Sequence, residues 1–242
     1  MQIINPSVNL LAYTKLINDD TPSSPSKLIE LAMRNCYKSE DKITENSYKK
    51  IIPSVVSLGH TSTIEHVNFT FRIITSRDVL QELVRHRIAS YSVESTRYCN
   101  YTSDKKGMQF IKPAFVSNED LDRAIELYKY SKSDLEKLLN SDKISNDIKC
   151  IFRWLEDIKT AETSYNYMIK NGWKPQQARA ILPGCLKTEI VMTMNCRSLL
   201  NFIKLRTSNS AHPDIVVVAK EIEKIVTEIC PEIFENSKFH RF

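Results

Sequence analysis

Glycine is the residue whose scarcity most restricts what this chain can fold into. The 242 residues include only four glycines, where ordinary usage of about 7% would give roughly 17. They are Gly59, Gly107, Gly172 and Gly184. They lie too far apart for a G-x-G-x-x-G turn or a G-x-x-x-x-G-K-[ST] loop. The sequence therefore argues against a Rossmann dehydrogenase and a P-loop NTPase, and any nucleotide phosphate must be bound by side chains and ordinary backbone.

The rest of the composition is that of a globular protein with a substantial core. Charged residues make up 26% of the chain and hydrophobic residues 42%. The length favours one domain over residues 1–242. The longest apolar run, residues 215–219, is far shorter than the roughly 20 residues of a membrane-spanning helix. The first residues lack the pattern of a signal peptide, so we expect a cytoplasmic protein.

Cysteine spacing and net charge restrict the chemistry further. The six cysteines include no C-x-x-C pair, which predicts reduced thiols and no structural metal site. The net charge of +5 is compatible with anionic ligands without requiring a nucleic acid.

Hydrophobic periodicity predicts an α+β fold: a single domain with a mostly antiparallel sheet flanked by helices. Residues 64–75 alternate between apolar and polar side chains, which is typical of a half-buried strand. A second strand is expected at 186–194, and helices at 26–38, 45–59, 76–89, 195–206 and 213–229. The charged segment 119–171 predicts a helical excursion, and a separate helical subdomain there is the alternative.

Arginine is concentrated in two windows of a chain that otherwise prefers lysine. Residues 85–97 and 179–206 contain six of the 12 arginines but only two of the 22 lysines. A planar guanidinium binds phosphate or carboxylate with two parallel hydrogen bonds, which lysine cannot do. The windows therefore predict a composite anion site, and chance together with structural ion pairs is the alternative.

Each window contains a distinct polar pattern. The first combines Arg85, His86, Arg87 and Arg97 with hydroxyl groups at Ser90, Ser92, Ser95 and Thr96, and it is predicted to begin in the last turn of a helix. In the second, a helix would place Arg197, Asn201 and Lys204 within about 60° of one another on an otherwise apolar surface. Such a narrow polar stripe favours a ligand or a paired partner.

Four ordered blocks resemble the flavin-dependent thymidylate synthase family. The first is the R-H-R motif at 85–87 followed by seven residues and Ser95. The others are G-H-x-S-x-x-E-H at 59–66, A-R-x-x-L-P at 178–183, and N-x-R-S-L at 195–199 with Asn201, Arg206 and the A-x-x-D-I run at 211–215. Together they cover most of the chain outside residues 100–175.

The resemblance implies that dUMP is methylated to dTMP. The carbon donor would be 5,10-methylenetetrahydrofolate, and FAD reduced by NADPH would carry the hydride, so that no enzyme thiol acts as nucleophile. It also implies a homotetramer with active sites at subunit junctions, and no role for nucleic acid or membrane.

The resemblance further assigns residues to ligands. Arg206 would be catalytic and stabilise negative charge on the uracil ring. The residues implied for dUMP are Glu82, Arg85, Ser95, Thr96, Arg97, Arg179 and Arg206. Those implied for FAD are Ser62, Arg85, His86, Arg87, Asn195, Arg197 and Asn201. His60 would lie near flavin and folate, with a structural, hydrogen-bonded histidine as the alternative.

Three positions depart from the family pattern. Val93 stands where the family commonly has Glu or Gln, so a polar contact is either absent or made by backbone or Glu94. His212 and Asp214 replace a usual Gln and Glu. Because of Val93, an inactive homologue stays open, and a nucleic-acid-binding module that uses the R-H-R cluster is a separate alternative.

Overall fold

The strands and helices form a mixed fold in which most strand pairs are antiparallel. The computed structural model describes residues 1–102 and 107–235. The predicted α+β class, with a mostly antiparallel sheet flanked by helices, is confirmed. The backbone separates into two compact units, so the single-domain prediction stays a prediction. Unit 1 comprises Met1–Asn5, Ser76–Asp78 and Glu94–Lys187, and unit 2 comprises Pro6–Thr75, Val79–Val93 and the chain from Thr188 onward.

The strands are β1 (Gln2–Ile4), β2 (Ser7–Tyr13), β3 (Asn68–Ser76), β4 (Ser90–Val93), β5 (Gln109–Ile111) and β6 (Lys187–Asn195). The helices are α1 (Ser24–Tyr37), α2 (Tyr48–Ser57), α3 (Arg77–Leu83), α4 (Asn118–Glu126), α5 (Lys132–Leu139), α6 (Asn146–Lys170), α7 (Pro175–Ala178), α8 (Cys196–Arg206), α9 (Pro213–Ile229) and α10 (Pro231–Phe234). Short 3-10 helices occupy Glu40–Lys42, Ser62–His66, Leu127–Lys129 and Arg179–Ile181.

Unit 2 is built on a four-stranded sheet in the order β2-β3-β6-β4. The predicted alternation in β3 is confirmed, because Phe69, Phe71 and Ile73 are all fully buried while the side chains between them face away. Ile190, Met192 and Met194 of β6 extend the same buried face. Helices α1, α2, α8 and α9 contribute to this core, and α8 packs on α9 and on the 3-10 helix at Ser62–His66.

Unit 1 is largely helical. Strands β1 and β5 pair in parallel, and α4 packs on α6. Its core includes Phe110, Leu155 and Tyr165. Three serines begin its helices as N-caps: the side chains of Ser117, Ser131 and Ser145 accept hydrogen bonds from backbone N–H groups in the first turns of α4, α5 and α6. The predicted helical excursion is therefore confirmed, although it consists of three helices.

Several predicted boundaries are wrong for identifiable reasons. The strand expected from residue 64 begins at Asn68, because Ser62–His66 forms a 3-10 helix. The helix expected over 76–89 ends at Leu83, so the R-H-R motif lies in the following turn. Strands β1, β2, β4 and β5 were not predicted: β1 and β5 are three residues long, β4 four, and a register shift between Leu10 and Ala12 interrupts the alternation of β2.

None of the helices in the described ranges is long and apolar enough to cross a membrane.

Candidate active site

A cavity of about 620 Å³ in unit 2 brings both arginine windows together. This volume lies within the usual range for small-molecule sites. Its walls are the R-H-R turn, the 3-10 helix at Ser62–His66 and one side of α8. The lining residues are Glu65, Arg85, His86, Arg87, Ile88, Asn195, Arg197, Ser198, Asn201, Leu205 and Arg206. We call this space the R-H-R cavity.

A tyrosine on the neighbouring strand fixes the R-H-R turn. The hydroxyl of Tyr91 lies 2.7 Å from the carbonyl oxygen of Leu83 and 2.9 Å from that of His86. Both carbonyls belong to the end of α3 and the turn after it, where backbone acceptors lack helical partners. Burial raises the pKa of Tyr91 to about 12, so the phenol remains a donor at neutral pH. The turn is thereby attached to β4, which pairs with β6 in the sheet.

The N-terminus of α8 forms the opposite wall. The side-chain oxygen of Asn195 accepts a hydrogen bond of 2.8 Å from the backbone N–H of Ser198 and so caps the helix. The backbone N–H of Cys196 donates to the carbonyl of Val67 at 2.9 Å, which attaches the first turn to the start of β3. The positive end of the helix dipole therefore lies at the cavity.

Arg206 is held at three points by two residues of the R-H-R side. Its Nη1 contacts Glu82 Oε2 at 2.5 Å, and its Nη2 donates to the backbone carbonyl of Glu82 at 3.2 Å. Its Nε donates to Nε2 of His86 at 3.0 Å. The imidazole of His86 packs edge-on against the buried ring of Phe202, with 5.0 Å between ring centroids. Burial and the nearby guanidinium of Arg206 lower the pKa of His86.

The other arginines of the cavity differ in their partners. Arg197 forms an ion pair with Glu65, and both side chains are about half exposed. Structural ion pairs, the alternative explanation of the two arginine windows, therefore account in part for Arg197 and Arg206. Arg85 and Arg87 are exposed, and no carboxylate in the described part of the chain lies within ion-pair distance of either. Four arginines against the two glutamates that pair with them, Glu65 and Glu82, leave an excess of positive charge that makes the cavity suited to an anion.

A second cavity of about 320 Å³ borders α8 next to the R-H-R cavity, and Arg197 and Asn201 line both. The lining residues are Val56, Gly59, Thr61, Arg197, Leu200, Asn201 and Lys204. The predicted polar stripe on α8 is therefore confirmed, because its three members line this cavity together. Gly59 has a φ of 82°, which allows the chain to turn from α2 into this wall.

His60 and Ser62 lie beside these cavities without lining either. His60 is exposed between Gly59 and Thr61, and its backbone N–H donates to the carbonyl of Val55 at 3.2 Å. Ser62 is exposed at the start of its 3-10 helix. The side chain of His60 has no hydrogen-bond partner in the described part of the chain, so its alternative as a bonded structural histidine has no support from a contact.

The remaining predicted ligand residues belong to unit 1. Ser95 accepts hydrogen bonds from the backbone of the turn after it: its Oγ from the N–H of Arg97 at 3.3 Å and its carbonyl from that of Cys99 at 2.9 Å. Thr96 is buried, and Arg97 is exposed with its guanidinium over the ring of Tyr98. Arg179 is exposed at the start of a 3-10 helix. Their roles with dUMP stay predictions.

Four residues that line the R-H-R cavity were not predicted as site residues. Glu65 lies in a quoted block, and its signal is a carboxylate near a cluster of arginines. Ile88 and Leu205 are exposed apolar residues, 74% and 51% accessible, whose exposure the sequence does not reveal. Ser198 lies at the cavity wall in the first turn of α8, where its backbone N–H donates to the capping oxygen of Asn195.

The departures from the family pattern have local explanations. Val93 ends β4 with a partly exposed side chain. The carboxylate of Glu94 accepts from Lys187 Nζ and from the hydroxyl of Tyr101, both at 2.8 Å, and its contact in place of the missing polar group stays a prediction. His212 is the N-cap of α9, where its Nδ1 accepts from the backbone N–H of Asp214.

Comparisons with known proteins show matches over most of the chain. The model of the family "Thymidylate synthase complementing protein" matches residues 15–232. A flavin-dependent thymidylate synthase from Clostridium tetani is 31% identical over 95% of this chain and 86% of its own length. One from Geobacter sulfurreducens is 29% identical over 88% and 82%.

A solved structure shares the fold. The UMP/dUMP methylase PolB from Streptomyces cacaoi, bound with 5-Br dUMP, matches with a TM-score of 0.71 at 20% identity, covering 100% of this chain and 98% of its own. The family match spans nearly the whole chain and includes every block on which the resemblance was based. The chain therefore belongs to the flavin-dependent thymidylate synthase family.

Proposed function

We propose that this chain methylates dUMP to dTMP, with 5,10-methylenetetrahydrofolate as carbon donor and FAD, reduced by NADPH, as hydride carrier. The observation that carries the proposal is the R-H-R cavity, in which arginines from both windows meet. Relatives named flavin-dependent thymidylate synthase and a UMP/dUMP methylase of the same fold support the same reaction.

The R-H-R cavity fits a flavin nucleotide in charge and in surface character. Among the described residues, Arg85 and Arg87 have no carboxylate partner, so they offer planar donors to a pyrophosphate, while Ile88 and Leu205 offer apolar surface to a ring. The residues that would hold FAD are Ser62, Arg85, His86, Arg87, Asn195, Arg197 and Asn201, with His60 near flavin and folate. Bound FAD would supply the redox chemistry that amino-acid side chains lack. Asn195 would use its amide NH2 group, because its oxygen already caps α8.

The substrate would be bound by cationic and hydroxyl groups. We assign Arg85, Ser95, Thr96, Arg97 and Arg179 to dUMP, mostly to its phosphate. Glu82 would border the same substrate. Arg206 would act on the uracil, where a permanently charged guanidinium stabilises negative charge as the ring becomes nucleophilic.

The cysteines support a reaction without an enzyme thiol. Neither cavity of unit 2 has a cysteine among its described lining residues. Cys196, which lies between Asn195 and Arg197 in sequence, is fully buried, and burial raises its pKa. A buried, protonated thiol is a poor nucleophile.

Release of the C5 hydrogen of dUMP tests the proposal directly. The purified chain is expected to be yellow, and with added NADPH and methylenetetrahydrofolate it should release tritium from [5-³H]dUMP and form dTMP. Colourless protein that takes up no FAD, or flavin oxidation that does not depend on dUMP, would contradict the proposal. Light scattering on the same sample tests the proposed homotetramer.

A further inference from the structure

The three-point attachment of Arg206 carries an inference about the residues that hold it. A guanidinium has five N–H groups. Three are used within unit 2: by Glu82 Oε2, by the backbone carbonyl of Glu82, and by His86 Nε2. Among the described residues no further group bonds this guanidinium, which leaves one N–H on each terminal nitrogen for a ligand in the R-H-R cavity. We infer that Glu82 and His86 are positioning residues, which hold Arg206 in one orientation so that this remaining pair of donors meets the substrate.

Burial makes this attachment specific to one geometry. The side chains of Arg206 and Glu82 are 21% and 31% exposed, so neither is surrounded by solvent. Glu82 lies in the last turn of α3 and His86 in the turn after it, whose backbone Tyr91 fixes. The acceptors for Arg206 are therefore placed before any ligand arrives. Such preorganisation favours a developing charge, because no group has to reorient during the reaction.

The contact also determines which nitrogen of His86 carries the proton. The Nε of arginine is always a donor, so Nε2 of His86 must accept and the ring is neutral with its proton on Nδ1. Protonation of Nε2 would place two N–H groups against each other. The charged groups around this ring are Glu82, Arg85, Arg87, Arg206 and, across the cavity, Glu65 and Arg197. Burial of the ring and, after it, the charge of Arg206 favour the neutral form.

The inference rests on the proposed function for its substrate, but its geometry can be tested without turnover. The full chain is labelled with ¹⁵N-histidine, and the tautomers of its five histidines are read from long-range ¹H–¹⁵N spectra. We expect His86 to carry its proton on Nδ1, and we expect Arg206→Met to remove this preference and raise the pKa of His86. His86→Gln assigns the signal, and His66→Gln at an exposed histidine is the matched control. A proton on Nε2, or a tautomer and pKa unchanged in Arg206→Met, would overturn the inference.

Kinetics then separate positioning from a purely structural role. We expect Glu82→Ala to lower kcat about 100-fold, while KM for dUMP changes only a few-fold and FAD content is retained. Glu82→Gln keeps an oxygen acceptor for Nη1 and is expected to recover most of the loss. Glu119→Ala, at an exposed glutamate of α4, is the control and should leave both constants unchanged.

The outcomes distinguish the two proposals. Loss of activity in proportion to loss of folded protein, or no recovery in Glu82→Gln, would overturn the positioning role. If Glu82→Ala does not fold, Glu82→Gln and the tautomer measurement decide the question. A wild-type chain without turnover but with the predicted tautomer would refute the proposed function and leave the attachment of Arg206 intact.

Discussion

The ion pair of Arg206 in the R-H-R cavity of unit 2 and the ion pairs on the helical segment of unit 1 join the same chemical groups but differ physically. On the helical segment, Arg123 with Glu119 and Arg153 with Asp157 are pairs four residues apart, whose side chains are 58–77% exposed. In the cavity, Arg206 pairs with Glu82, 124 residues away, at 21% and 31% exposure, and two further hydrogen bonds hold it.

The difference shows what distinguishes a site from a solvated surface. Exposed pairs on a helix contribute about 0.3–0.5 kcal/mol to stability and are screened by salt. A guanidinium with several fixed partners and partial burial is oriented, and orientation gives a charge a role in chemistry. The number and burial of the partners of an arginine indicate whether its guanidinium is held in one orientation, whereas the presence of an ion pair alone does not.

Replacing an arginine by alanine in the R-H-R cavity and on the helical segment should give the largest contrast in turnover. We expect Arg206→Ala to lower kcat for dTMP formation by at least about 100-fold, since a charge partner of the reacting ring is lost. Bound FAD should be largely retained. Arg153→Ala on α6 should leave turnover unchanged. Turnover of Arg206→Ala at the wild-type rate would remove the distinction between the two sites.

A charge-preserving change tests whether planar geometry matters in unit 1 itself. Arg97→Lys is expected to weaken dUMP binding about tenfold, because the bidentate contact is lost although the charge remains. Titration calorimetry with dUMP gives the affinity, and Arg123→Lys on α4 is the matched control. Equal affinity in the wild-type and Arg97→Lys proteins would argue against a bidentate phosphate contact.

Removing one hydroxyl tests the attachment of the R-H-R turn. Tyr91→Phe should lower the free energy of unfolding by about 0.5–1.5 kcal/mol, because the carbonyls of Leu83 and His86 lose the Tyr91 hydroxyl and that of Leu83 keeps the backbone N–H of His86. Urea denaturation measures the change. Tyr167→Phe, at a residue 68% exposed on α6, should have almost no effect. Equal losses in the two variants would show that the Tyr91 contacts add nothing.

The effect of acid on stability should also differ between the two units, because unit 1 contains no histidine. The pKa of His86 is lower in the folded chain than its ordinary value of about 6.5, so the unfolded chain binds more protons between these two values. Stability from this group therefore falls as the pH drops through that window. Unfolding free energies measured between pH 5 and 7 should depend less on pH in His86→Gln. An identical slope in both proteins would contradict the lowered pKa.

The smallest effect is expected on the helical segment. Arg153→Ala should change the free energy of unfolding by less than about 0.5 kcal/mol, since its partner Asp157 is exposed and remains hydrated. Urea denaturation at low and high salt checks this value. A loss above about 1 kcal/mol would mean that the ion pairs of the two regions contribute more similarly to the free energy of unfolding than their burial indicates.

Much of this arrangement follows from periodicity, and the rest depends on contacts distant in sequence. The alternation around Phe69 and Phe71 predicts the central strand correctly, and the stripe of Arg197 and Asn201 predicts one cavity wall. The end of α3 at Leu83 could not be predicted, because the donor that stabilises the following turn is on β4. The partners of Arg206 could not be predicted either, since Glu82 lies 124 residues away and nothing in local sequence joins them.

Every residue of helix α8 lies either in the core of unit 2 or at a cavity. Four of its 11 residues are buried in the core of unit 2, namely Cys196, Leu199, Phe202 and Ile203. The other seven all line one or both cavities. The contrast is α5, in which no residue is fully buried and Leu135, Leu138 and Leu139 pack only partly buried against the core of unit 1. Substitutions should therefore accumulate slowly along α8 and faster along α5 during evolution.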